Sequence, residues 1–191
     1  MESLNFFINF IKNPSAVGAI IPSSKALALQ IIETTKVREA NVIVEFGAGT
    51  GVITQQIQLA RKPDSHFFSF EINEELARIT KERCPDVEIL IESAAKTMDI
   101  LSKNNLDSCD CIVSGLPWAT LPQDIQKELF SVILQALRPG GIFATFGYVQ
   151  SSIMPSVTRF RDKLEQSFSE TGTTRYVWGN VPPARVYWAK K

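Results

Sequence analysis

From residue 41 onward the pattern of apolar and polar positions changes its period several times. Short, continuously apolar runs such as Val42-Ile43-Val44 and Cys111-Ile112-Val113 alternate with stretches whose apolar residues recur at helical spacing. Continuous runs are what parallel strands need when both faces of their sheet are covered. The pattern predicts strands over 41–46, 67–71, 87–91, 109–114 and 141–147, with helices over 52–60, 73–83, 94–102 and 124–137. Such alternation means an α/β fold built on a doubly wound sheet. A helix over 152–168 follows, then strand-like runs over 173–178 and 185–189. The loop between those two, Gly179-Asn180-Val181-Pro182-Pro183, makes them an antiparallel pair closing one edge of the sheet.

Upstream, two helices over 2–12 and 24–36 are separated by Pro14 and Pro22. They read as a helical cap, 1–40, on a core of 41–191, the whole forming a single domain. Ser23 or Ser24 is a ready N-cap for the second helix. In the first, Leu4, Phe7, Ile8 and Ile11 share one side, widened by Phe6 and Phe10, while Glu2, Asn5, Asn9, Lys12 and Asn13 take the other. A segment this amphipathic either packs its aromatic face on the domain or lies in a membrane interface.

Composition narrows the function classes. With 45% apolar and 21% charged residues, the 191-residue chain can bury a sizeable core. Its 20 basic and 20 acidic residues give zero net charge, which excludes binding to nucleic acid through a uniform positive field. The zero is a cancellation: residues 1–40 carry +1, residues 41–112 carry −5 and residues 113–191 carry +4. Three cysteines and one histidine support neither a disulfide framework nor a zinc site, so no metal is expected. Cys109 and Cys111 are expected on opposite faces of their strand. No apolar run reaches the ~18 residues of a membrane span, and no secretory signal is evident, so a cytoplasmic protein is expected.

The strongest chemical signal is Val42-Ile43-Val44-Glu45-Phe46-Gly47-Ala48-Gly49-Thr50-Gly51, a strand running into a glycine turn with a helix after it. Glycines let backbone approach a ligand closely and adopt positive φ. The dinucleotide fingerprint G-x-G-x-x-G is not met, because Val52 stands where its third glycine would be. What stands instead, E-x-G-x-G-x-G, resembles motif I of the class I S-adenosylmethionine (SAM) methyltransferases. The resemblance implies a Rossmann-like fold with a seven-stranded, mostly parallel sheet, an antiparallel C-terminal hairpin and helices on both faces. It implies that Glu45, Gly47, Ala48, Gly49 and Gly51 back the amino-acid part of SAM, with S-adenosylhomocysteine as product. Glu71 ends the next strand 20 residues after Gly51, where an acid can accept both ribose hydroxyls. Ile72 completes that corner, and Ser93 with Ala94 stands where many relatives carry an adenine-binding Asp.

For the methyl acceptor, the informative stretch is Ser114-Gly115-Leu116-Pro117-Trp118, after the fourth strand. It invites comparison with the N-L-P-Y motif of ribosomal RNA adenine dimethylases, but Gly115 falls at the Asn position and offers no side-chain acceptor. Trp118 is expected either to stack on a base, to face a cation, or to be a half-buried loop residue. The amphipathic start, Asn13-Pro14 through Val17-Gly18-Ala19-Ile20-Ile21-Pro22-Ser23-Ser24, the Ser-Gly-Leu-Pro stretch and Pro182-Pro183-Ala184-Arg185-Val186 together resemble the bacterial phospholipid N-methyltransferases of the soluble, phosphatidylethanolamine-methylating type. That resemblance spans nearly the whole chain. It implies a peripheral protein on the cytoplasmic face of an anionic membrane, with a lipid head group entering between cap and sheet.

In such an enzyme a neutral amine attacks the sulfonium methyl in line, so the site must lower the amine's pKa or accept its proton. Tyr148, just past the fifth strand, is the first candidate for orienting or deprotonating it. Ser114, which also borders the cofactor, is the second, and Trp118 borders the reacting groups. Arg185 is expected to pair with the lipid phosphate in a bidentate way. Lys25 joins Trp118 and Arg185 as a substrate contact. Nucleic acid is not expected as a partner. The alternatives are an adenine N6-methyltransferase acting on RNA or DNA, a small-molecule N-methyltransferase, and a SAM-binding regulator without catalysis.

Overall fold

The computed structural model describes residues 24–191; the helix expected over 2–12 lies outside the described residues. Chain order is α1 (Lys25–Thr35), β1 (Val42–Phe46), α2 (Val52–Ala60), β2 (His66–Phe70), α3 (Glu74–Arg83), β3 (Glu88–Leu90), α4 (Thr97–Lys103), β4 (Cys109–Ser114), α5 (Gln123–Ala136), β5 (Leu137–Tyr148), α6 (Pro155–Ser167), β6 (Glu170–Thr173) and β7 (Ala184–Lys190). Short 3₁₀ turns at Ala94–Lys96 and Val149–Ile153 precede α4 and α6. The seven strands form one sheet in the order β3-β2-β1-β4-β5-β7-β6. All neighbours pair in parallel except β7, which runs antiparallel to β5 and β6. This is the Rossmann-like arrangement expected of the sequence.

Both faces of the sheet are covered, which is why its strands are continuously apolar. On one face Val44, Phe46, Ile112 and Phe143 pack with Leu129, Ile133, Phe160 and Leu164 of α5 and α6. On the other, Ile43, Cys111, Val113, Ala144 and Val186 pack with Leu27 and Ile31 of α1 and Ile57 of α2. The start of α1 is capped by Ser24, whose Oγ accepts the Leu27 N–H at 3.2 Å. Ser24 also donates its own N–H to Oδ1 of buried Asn180 at 2.7 Å, tying α1 to the loop before β7.

Three expectations shift. The strand expected over 173–178 is β6, Glu170–Thr173, and the ladder stops there. At the next position the Thr174 side chain accepts the Val186 N–H at 3.0 Å, so a hydroxyl takes the place of a backbone carbonyl. Beyond it only an isolated Val177–Ala184 bridge joins the chain to β7. The helix expected over 94–102 opens as a 3₁₀ turn, and the helix expected over 152–168 begins only at Pro155, where a proline at N1 suits a helix start. Cys109 and Cys111 do lie on opposite faces, in the two different cores. Alternation alone is not the reason, because residues two apart share a face; the register with β5 breaks between them, opposite residues 138–141.

Phe143 sits fully buried at the centre of one face, edge-on to the Trp118 ring at 5.7 Å. Phe143→Ala should therefore cost about 3–5 kcal/mol in urea unfolding. Leu59→Ala, at an exposed position of α2, should change stability by less than about 0.5 kcal/mol.

Candidate active site

The order of strands reverses between β1 and β4, and the loops leaving their carboxyl ends define the crevice where α/β sheets bind ligands. The loop after β1 turns through positive φ at Gly47, Gly49 and Gly51 (79°, 59° and 79°). Gly47 and Ala48 both donate their N–H to the Phe70 carbonyl, at 2.8 and 3.0 Å, which pins the loop to the end of β2. A side chain at Gly47 would come within 2.8 Å of Leu116, and one at Gly51 within 3.0 Å of Thr80. At Gly49 it would meet nothing within 4 Å, so this glycine faces open space.

Glu71 borders that space. It follows β2, is buried, and spends its two oxygens on backbone: Oε2 accepts the Gly49 N–H at 2.9 Å and Oε1 the Asn73 N–H at 2.9 Å. Burial pushes its carboxyl above the usual range, moderated by those amide hydrogen bonds. An open cradle over Gly49 beside a backbone-held carboxylate fits a cofactor that carries a ribose diol. Ile72 is half-buried against the α5–α6 side of the core. Ser93 accepts the Ala95 N–H at 3.2 Å and so caps the 3₁₀ turn, with Ala94 buried behind it.

Glu45 is 1% exposed, and its carboxylate lies in the layer between the sheet and α2. Oε2 accepts hydroxyls from Thr54 of α2 at 2.8 Å and from Ser69 of β2 at 2.6 Å. Burial raises its pKa from 4.5 to about 7, with the two hydroxyl bonds opposing and the charge of Glu71 adding to the rise. Glu45 thus clamps β1, β2 and α2 beneath the glycine loop. The sequence carries no signal for Thr54 or Ser69 as its partners, because neither stands in a motif.

On the acceptor side, Gly115 donates its N–H to the Phe46 carbonyl at 2.8 Å, and a Cβ there would lie 2.6 Å from the Gly47 carbonyl oxygen. The glycine is a steric requirement of two loops in contact. Trp118 is not the exposed stacking platform that was one expectation for it. It is buried, its ring stacked on Phe160 at 5.0 Å, and its Nε1 donates to Ser114 Oγ at 3.0 Å. Ser114 is itself buried and also accepts the Leu116 N–H at 3.3 Å. Both residues hold the loop's shape, and apolar side chains occupy the surface of Trp118 that a base or cation would need.

Tyr148 and Arg185 lie on opposite faces of the sheet. Tyr148 packs with Phe146 on the α1 side, alongside Ala184 and Val186. Alternation along β7 puts Arg185 on the other face with Tyr187. The Arg185 guanidinium sits over Tyr176 at 4.8 Å and Tyr187 at 5.2 Å, and its Nε donates to the Tyr187 hydroxyl at 3.3 Å. Desolvation pushes the Tyr148 phenol further up from 10.0, so at neutral pH it is protonated and is no proton sink. Lys25 is exposed in the first turn of α1, beside the Ser24–Asn180 tie.

The family relationship agrees with this geometry. The methyltransferase domain family matches residues 43–141. The ornithine lipid N-methyltransferase of Singulisphaera acidiphila is 30% identical over 188 residues, covering 97% of this chain and 94% of that protein. Ribosomal RNA small subunit methyltransferase A of Thermotoga maritima is 30% identical over 105 residues, 53% of this chain and 34% of that protein. An O-methyltransferase from Streptomyces achromogenes, crystallised with SAM, shares the fold with a TM-score of 0.68 over 100% of this chain and 91% of its own, at 18% identity. The chain belongs to the class I SAM-dependent methyltransferase family. It is a SAM-dependent methyltransferase.

Glu45 binds its proton more tightly in the folded state than in the unfolded chain, so its contribution to stability is full below pH 4.5 and is lost as pH rises through about 7. A decline on the order of 3 kcal/mol in unfolding free energy should run across that window. Glu45→Gln should flatten it, measured by urea unfolding at a series of pH values.

Proposed function

We propose that this methyltransferase acts on the amine of a membrane lipid head group, of the phosphatidylethanolamine type or its amino-acid lipid analogues. The observation that carries the reading is the end-to-end similarity to an ornithine lipid N-methyltransferase, at 30% identity over 97% of the chain. The similarity to the ribosomal RNA enzyme covers only about half of it, 53%. The crowding of Gly115 against Gly47 also argues against a nucleobase, since an asparagine has no room there on this backbone.

In this reading Gly47, Ala48, Gly49 and Gly51 form the cofactor cradle and Glu71 accepts the ribose hydroxyls. Ile72, Ser93 and Ala94 border the adenine, and Glu45 acts from beneath by fixing the loop. SAM supplies an electrophilic methyl group on a sulfonium centre. The chain's own work is to hold a neutral amine in line with that group and keep water out, since orientation supplies much of such a rate. Tyr148, protonated, orients the amine by hydrogen bonding, and the proton leaves before attack through solvent. Ser114 and Trp118 act through the shape of the acceptor loop. Arg185, held over the Tyr176 and Tyr187 rings on the opposite face from Tyr148, pairs with a phosphate of the surrounding bilayer surface, and Lys25 lies on the approach. Among the described residues no helix is long and apolar enough to cross a membrane. The proposed enzyme works peripherally on the cytoplasmic membrane face, with the amphipathic segment over 2–12 as an anchor.

Labelled SAM offered to vesicles of phosphatidylethanolamine, vesicles of ornithine lipid, ribosomal RNA and free small amines should label a lipid amine. Label on RNA alone would sink the proposal. For the cofactor assignment, Glu71→Gln should weaken SAM binding about tenfold by calorimetry and, because its amide NH2 would face the Gly49 or the Asn73 N–H, should also destabilise the fold by about 1–3 kcal/mol in urea unfolding.

A further inference from the structure

At the carboxyl end of β5 two loops lie side by side, joined by the Val149 N–H to Pro183 carbonyl bond at 2.8 Å and by the Tyr148–Ala184 pairing. One is the turn Val149–Ile153, and the other is the stretch 174–183 that leads into β7. Their tips carry large apolar side chains in water: Ile153 is 88% exposed, Trp178 72% and Val181 70%. Most exposed apolar residues on a folded surface are scattered singly; a cluster on adjoining loops marks a contact site. These loops emerge at the same end of the sheet as the glycine cradle, because β5 runs parallel to β4, which runs parallel to β1.

The surroundings choose the partner. No acidic residue occurs over 148–161 or anywhere after Glu170, whereas these stretches include Arg159, Arg161, Arg175 and Arg185. Arg185 is held behind the apolar tips, over the ring of Tyr176, which itself contacts the Trp178 ring at 6.0 Å. The loop is also braced: Asn180 accepts the Ser24 N–H and donates its Nδ2–H to the Pro182 carbonyl at 2.7 Å. Apolar tips with an indole among them, backed by the held guanidinium of Arg185 and with no carboxylate in either loop, match the layering of an anionic bilayer surface, where rings sit at head-group level and cations meet phosphates.

We propose that the Trp178–Val181 loop, with Ile153 beside it, inserts into the interface of an anionic membrane and so seats the mouth of the active site on the bilayer. This rests on the lipid reading of the function and gives it a contact surface within the described residues. The chain has three tryptophans, of which Trp118 is buried and Trp188 half-buried, so Trp178 is the natural reporter. With the full chain and vesicles of phosphatidylethanolamine and phosphatidylglycerol, brominated acyl chains should quench its fluorescence, and Trp178→Phe should remove most of that quenching. Joint Trp178→Ser and Val181→Ser substitution should weaken vesicle partitioning about tenfold while SAM affinity stays unchanged. Quenching that survives in Trp178→Phe, or partitioning untouched by the double substitution, overturns the proposal even if lipid is methylated. Vesicle binding that depends on Trp178 without any lipid methylation upholds this contact and removes the functional reading instead. Wild-type protein that ignores vesicles, or binds ribosomal RNA alone, overturns it.

Discussion

The loops leaving β1 and β4 touch so closely that neither Gly47 nor Gly115 can carry a side chain. A Cβ on Gly115 would sit 2.6 Å from the Gly47 carbonyl oxygen, and one on Gly47 would sit 2.8 Å from Leu116. This contact fixes the glycine loop after β1 against the Ser114–Trp118 loop after β4. Trp118, locked by Ser114 and by the Phe143 and Phe160 rings, keeps the acceptor loop from relaxing away. The same contact leaves no room for a side chain at position 115.

Charge is arranged around that contact with little waste. Two acids lie beneath and beside the glycine loop, and both are buried at the cost of raised pKa values. Glu71 accepts backbone amides beside the cradle, whereas Glu45 lies between the sheet and α2, held by two hydroxyls. A cationic cofactor favours the ionised form of both through space, so the penalty of their burial is offset when the cradle is filled. The excess of basic over acidic residues falls in 113–191, at +4, against −5 over 41–112.

The elements of the parallel half were legible because their residues face the same environment on both sides, which leaves an uninterrupted apolar run in each of β1 and β4. The glycine motif was legible because positive φ at three positions leaves few alternatives to glycine. The end of β6 was not, since it depends on a single hydroxyl, Thr174 Oγ1, reaching Val186 across a hairpin. Trp118 was not either: nothing local distinguishes a ring that stacks on a ligand from one that stacks on Phe160, which lies 42 residues away in sequence.

By itself the sequence determined the class of fold, the order of its elements and the glycine turn after β1, because each depends on periodicity or on backbone conformation, which are local properties. Only the tertiary structure decided which way the chemistry-bearing side chains face. It set Glu45 against Thr54 and Ser69, buried Ser114 and Trp118 as braces, placed Tyr148 and Arg185 on opposite faces, and joined the turn after β5 to the loop before β7 at one end of the sheet. The physical reason is that a side chain's role depends on the neighbours that packing gives it, and those neighbours come from strands far apart in the chain.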